Sequence, residues 1–175
     1  DEFVNQNTKT VGTLTYERTF STANVWQSLF VPFEMPVEEL TALGYQVAYF
    51  YDVHYKRDGE VIDPTTIESI HYVIVNSGTL RANFPYVIMR TDAAVDSDLS
   101  LTLSDATLYS TASSELKSVE SSSTITRFVF AGTYNRADRG TLTGDANLAC
   151  YALRPDGYSQ KMSATAQLSP FRAFM

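Results

Sequence analysis

The sequence predicts an all-β chain, a two-sheet and mainly antiparallel β-sandwich with one short helix. Three observations lead there. Short runs of residues alternate in polarity with period two, turn signals separate them at regular spacing, and one segment alone carries helix start and stop signals. With 175 residues there is room for one sizeable core. The expected organisation is an N-terminal linker or arm at 1–12 and a single sandwich domain at 13–175.

Taken in order, Thr13–Phe20 is the first expected strand, and polar Asn5 to Thr10 before it reads as a frayed arm. Gln27–Val31 is the second, ended by Pro32, which cannot donate to a ladder. Pro36–Leu43 is the helix. Proline suits the first helical position, Glu38 and Glu39 favour the positive end of the helix, and Gly44 supplies the stop.

The strongest strand signal follows. Tyr45, Val47, Tyr49, Tyr51, Val53 and Tyr55 alternate with Gln46, Ala48, Phe50, Asp52, His54 and Lys56. Asp58-Gly59 is expected to close a type I′ hairpin, with a returning strand over Ile67 to Asn76 that places Ile70, Tyr72 and Ile74 on one face. Further strands are expected at Tyr86–Thr91, Leu99–Leu103, Ile125–Gly132 and Asn147–Leu153. Leu99, Leu101 and Leu103 alternate with Ser100 and Thr102, giving one dry face and one wet one. Pro155-Asp156-Gly157 marks a turn between Tyr151–Arg154 and Tyr158–Met162. Thr111 to Thr124 is Ser-rich and reads as a loop, or as a hairpin tip over Glu115–Val119. The closing segment from Pro170 to Met175 is expected to be a paired strand, with Phe171 and Ala173 on one face and Arg172 on the other. Trp26, Phe30, Val87, Val129 and Phe171 are the expected core anchors.

Composition excludes several partner classes. A net charge of −7 opposes binding to nucleic acid or to an anionic membrane surface. No apolar run approaches the ~20 residues of a transmembrane helix. The single cysteine, Cys150, rules out an intrachain disulfide and reads as a small buried apolar residue. The chain opens at Asp1-Glu2-Phe3 without an initiator Met, which fits removal of an export signal or a piece of a longer polypeptide.

The chain has no Gly-rich phosphate loop, no His-Glu-x-x-His pattern, no Gly-x-Ser-x-Gly elbow and no Cys/His metal spacing. His54, beside Asp52, and His71 in the returning strand are placed to approach across the hairpin, but two polar strand-face histidines explain the pattern better than a metal or proton site. Asp92, Asp96 and Asp98 form a loose acidic loop without the order or the glycine of an EF-hand, so no metal and no cofactor are expected. Glu34, Glu38 and Glu39 do not make a glycosidase pair, since Glu38 and Glu39 lie ~100° apart on a helix. The aromatics remain. Tyr49, Tyr51 and Tyr55 are the candidate ligand platform, because a tyrosine offers an apolar face with a polar rim to a sugar ring.

Five segments, in order, carry a resemblance. They are Tyr16-Glu17-Arg18-Thr19-Phe20, Trp26-Gln27-Ser28-Leu29-Phe30-Val31-Pro32-Phe33, Leu80-Arg81-Ala82-Asn83-Phe84-Pro85-Tyr86-Val87-Ile88, Phe130-Ala131-Gly132-Thr133-Tyr134 and Pro170-Phe171-Arg172-Ala173-Phe174. Their order resembles a β-domain of secreted and cell-surface proteins of Bacteroides-type gut bacteria, often placed after leucine-rich or other repeats. Phe174 stands where that family has Tyr. The resemblance implies an adhesin-like or assembly module at the surface of a Gram-negative bacterium, without catalytic residues and with a protein or glycan partner. Read from the residues, the motifs are fold determinants, with Arg18 and Arg172 placed to pair with a carboxylate or carbonyls. The alternatives kept beside this reading are a carbohydrate-binding module using the exposed aromatics and an unrecognised hydrolase domain.

Overall fold

The computed structural model describes residues 5–112, 118–120, 128–144, 148–154, 159–169 and 171–175, without the side chains of Pro64 and Thr65. In chain order the elements are β1 (Lys9–Thr19), β2 (Gln27–Leu29), β3 (Met35–Pro36), α1 (Val37–Ala42), β4 (Tyr45–Asp58), β5 (Val61–Val75), β6 (Thr79–Leu80), β7 (Tyr86–Arg90) and β8 (Asp98–Leu108). They continue with β9 (Ser118–Glu120), β10 (Val129–Thr133), β11 (Ala137–Asp138), α2 (Arg139–Thr143), β12 (Tyr151–Leu153), β13 (Ser159–Lys161), β14 (Gln167–Leu168) and β15 (Arg172–Phe174).

The fold is an all-β sandwich with antiparallel pairing throughout these elements. A four-stranded sheet, β2-β7-β4-β5, lies between two partners. One is a five-stranded sheet, β13-β12-β15-β10-β9; the other is the long ribbon β1-β8. The central sheet therefore buries both faces. Tyr45, Val47, Leu29 and Ile88 join Leu99, Leu101, Leu14 and Tyr16 of the ribbon in one core. Ala48, Phe50, Val53 and Val87 meet Phe130 and Ala173 of the five-stranded sheet in a second. A smaller third cluster holds Cys150, Met162, Leu168 and Phe174. Gly132 makes the second interface close, because a Cβ there would fall 2.0 Å from the Phe30 ring.

A bulge in β4 governs which side chains reach which core. Phe50 pairs with Tyr72 but Asp52 pairs with His71, so Tyr51 is the extra residue. Before it, odd residues (Tyr45, Val47) face the ribbon and even ones (Ala48, Phe50) face the five-stranded sheet. After it the parity inverts, and Val53 joins Phe50 in the second core.

Several sequence expectations change in detail. Residues 9–12, assigned to the arm, are the start of β1. Asn5 ahead of them is buried, donating from Nδ2 to the Tyr109 carbonyl at 2.8 Å. The hairpin loop is Gly59-Glu60 between the Asp58–Val61 pair, and of these two residues only Gly59 has positive φ (62°). That matches a type II′ turn, with Gly at its first central position, and not the expected I′. Pro36 ends up as the N-cap of α1 instead of its first residue, while Gly44 (φ 80°) does stop the helix. A second short helix, α2, was not expected. Asp138 caps it by accepting from the Thr141 amide at 2.9 Å, and Gly144 ends it. Phe30 and Val87 are buried as expected, whereas Trp26, Val129 and Phe171 are half-buried. Phe171 lies before β15 in a left-handed conformation (φ 60°), so it does not share a strand face with Ala173. The turn expected at 155–157 and most of the loop expected at 111–124 lie outside the described residues.

Candidate functional site

Three of the sequence motifs meet at one groove of about 500 Å³. One bank is β1 from Leu14 to Arg18; the other brings Pro32 and Phe33 together with Phe171 and Arg172. Each part has a local reason to be there. Pro32 follows the end of β2, and its carbonyl accepts from the Tyr109 amide at 2.7 Å, which holds the Pro32-Phe33 corner. Tyr16 sits edge-on to Phe33, ring centroids 5.7 Å apart. Phe171 is held by its amide, which donates to the Thr133 carbonyl at 2.9 Å, and by its ring against Tyr134 at 5.6 Å.

Arg18 ties β1 to β2 at one end of the groove. Its Nη1 donates to the Ser28 carbonyl at 2.7 Å and Nη2 to Gln27 Oε1 at 3.0 Å, while the guanidinium lies 4.6 Å from the Phe20 ring centre. Two polar atoms in this region, the Tyr16 hydroxyl and Arg18 Nε, are buried and have no hydrogen-bond partner among the described residues. Burial raises the Tyr16 pKa, and the neighbouring Arg18 charge partly opposes that. With Arg18 and Arg172 against Glu17, the lining is a cationic, largely apolar surface on a chain of net charge −7. Sequence reasoning missed that these motifs converge. The available signal was two arginines, 18 and 172, each set among aromatics in separate segments.

The expected tyrosine platform is not assembled as a row. Tyr51 is 60% exposed at the bulge, Tyr55 is buried at 7% beside Phe128, and Tyr49 is half-buried against the ribbon-side core. Parity inversion at Tyr51 puts Tyr49 and Tyr55 toward different cores, so the three cannot offer one surface.

The other candidates are placed as follows. His54 and His71 do approach, stacked with centroids 3.8 Å apart, although the ladder pairs His54 with Ser69 and His71 with Asp52. Ser69 Oγ and His71 Nε2 are 2.8 Å apart. Asp92 and Asp96 serve their own loop, Asp92 Oδ1 accepting from the Ala94 amide and Asp96 Oδ1 from the Asp98 amide, while Asp98 Oδ1 accepts from Thr19 Oγ1 of β1. Glu38 accepts from the Gly78 amide at 2.9 Å, which lowers its pKa, and Glu34 accepts from the Tyr109 hydroxyl. Among the described residues no three His, Cys, Asp or Glu side chains are grouped to hold a metal, and no helix is long and apolar enough to cross a membrane. Cys150 is buried and unpaired, as the sequence implied.

Compared with protein-family models, curated proteins and solved structures, the chain matches none.

Proposed function

We propose that this protein is a non-enzymatic binding module of a secreted or cell-surface protein, adhesin-like or assembling, that attaches through the groove between β1 and the Pro32-Phe33 and Phe171-Arg172 segments. One observation carries the reading: motifs at residues 16–18, 32–33 and 171–172, far apart in the chain, line a single recess. The same motifs support the resemblance to Bacteroides-type surface domains, which fits export and a Gram-negative source. A recess with apolar walls and a few charged groups is the usual form of a recognition site.

The test is a binding screen on glycan and peptide arrays with the wild type and Ser169→Trp. Ser169 is exposed at the groove, so tryptophan there fills the recess without entering the core. At least one array should give signal, and Ser169→Trp should remove it. A silent wild type, or signal indifferent to Ser169→Trp, rejects the groove as the contact site. Glycan signal tied instead to Tyr51 or to the cleft holding Trp26 and Tyr72 would favour carbohydrate binding through aromatics.

A further inference from the structure

We infer that the groove receives an extended polypeptide segment bearing carboxylate side chains, which adds as a strand along β1. This rests on the groove being the contact site and names its occupant.

Strand geometry carries the first half. Among the described residues β8 is the sole strand paired with β1, so the second edge of β1 has no ladder partner. An unpaired edge is a template for another strand, and β-strand addition is a recurring mode of peptide capture. The groove follows β1 through consecutive residues from Leu14 to Arg18. At ~3.3 Å per residue that stretch is roughly 16 Å, close to a typical strand. The opposite bank, Pro32-Phe33 with Phe171, supplies apolar surface for alternate guest side chains.

Charge carries the second half. Arg18 and Arg172 both line the recess and Glu17 is the acidic residue beside them, while the whole chain is net −7. A basic guest is drawn to the molecule at large and meets two guanidiniums in the groove. An acidic guest is disfavoured at long range and rewarded at contact, where Arg172 forms charge-assisted hydrogen bonds with a carboxylate and Arg18, held by Ser28 and Gln27, adds a fixed positive charge. The preference is therefore set inside the groove.

Fluorescein-labelled heptapeptides alternating valine with aspartate, asparagine or lysine, read by anisotropy against the intact protein, test this. The aspartate peptide should bind about tenfold more tightly than the asparagine peptide, and the lysine peptide more weakly still. Arg172→Gln should weaken the aspartate peptide about tenfold and leave the asparagine peptide unchanged. Glu17→Lys, at an exposed position that keeps the fold, should tighten the aspartate peptide several-fold. Backbone N-methylation of alternate residues should abolish binding, because it removes the ladder donors. Equal binding of all three peptides, with Ser169→Trp removing all of them, overturns the acidic occupant and leaves the groove standing. Unchanged affinity after N-methylation overturns strand addition. If no peptide binds while an arrayed ligand does so in a Ser169-dependent way, the occupant is wrong and the site is right.

Discussion

The Tyr134 hydroxyl donates to Asn83 Oδ1 at 2.5 Å, joining β10's outgoing loop to the segment before β7 with both residues buried. Asn83 has two further partners. Its amide donates to the Val31 carbonyl at 2.8 Å and its Nδ2 to the Ser110 carbonyl at 2.8 Å, from a left-handed backbone (φ 55°) that asparagine tolerates. One side chain thus ties three segments together. Tyr134→Phe strands the Asn83 oxygen in the core, and a buried acceptor left unpaired costs about 1–3 kcal/mol. A lowered urea midpoint with an unchanged slope is the expected result; an unaltered midpoint would show that water or another donor replaces the phenol.

Alkaline pH should loosen the fold. Burial raises the pKa of Tyr72 to about 12, and the pKa values of Tyr16, Tyr45 and Tyr134 are raised for the same primary reason. A raised folded pKa means the unfolded chain ionises first. The stabilisation is complete below the unfolded value of 10.0 and is lost as pH climbs through about 12. Melting temperatures across that window should fall steeply, and Tyr72→Phe should make the fall shallower. A flat profile would place these phenols in water.

Cys150 should resist thiol reagents. Its side chain has no exposed surface, its Sγ lies 3.4 Å from Met162 Sδ, and burial pushes its pKa up to about 11 despite the opposing Arg139 charge. Little thiolate exists at neutral pH, and none is accessible. Labelling should proceed only at the rate of unfolding, so denaturant should accelerate it sharply.

Gly132→Ala should be more harmful than its size implies. The new methyl would collide with the fully buried Phe30, whose ring packs tilted on Tyr134 at 4.6 Å. Overpacking of this kind costs about 1–3 kcal/mol. A melting temperature equal to the parent's would mean the two sheets can separate freely at that point.

Removing residues 172–175 should split the five-stranded sheet. β15 lies between β10 and β12, Ala173 is fully buried, and Phe174 belongs to the Cys150 cluster. Burial of one phenylalanine alone is worth roughly 1.5–3 kcal/mol, and two strand edges would be exposed. Aggregation or a strongly lowered melting point is expected. A soluble truncation with the parent's melting curve would show that β15 is dispensable.

The parts of the fold that could be read from sequence are those set by local chemistry. Alternation placed the β4–β5 hairpin and the dry face of β8, and Glu38 with Gly44 framed the helix. Long strands were under-read at their ends, as with β1, because Lys9 and Thr10 carry no apolar signal and are recruited by pairing with Leu108 and Thr107. Two-residue strands such as β3 and β11 are made by their partners across the fold and have no pattern of their own. The tyrosine row failed for a related reason: a bulge leaves the alternation in the sequence intact while inverting its meaning. The groove was illegible because no single motif contains it.

The extra residue at Tyr51 makes β4 work like a text read in two frames. Upstream of it odd positions speak to the ribbon; downstream they speak to the five-stranded sheet. Substituting the exposed Tyr51 side chain should therefore be almost silent. Deleting that one residue would remove the bulge while leaving Val53 on the same face as Phe50, whereas inserting one more residue there would turn Val53 away from its core. Position 51 tolerates nearly any letter, and even a missing one, but not an extra one.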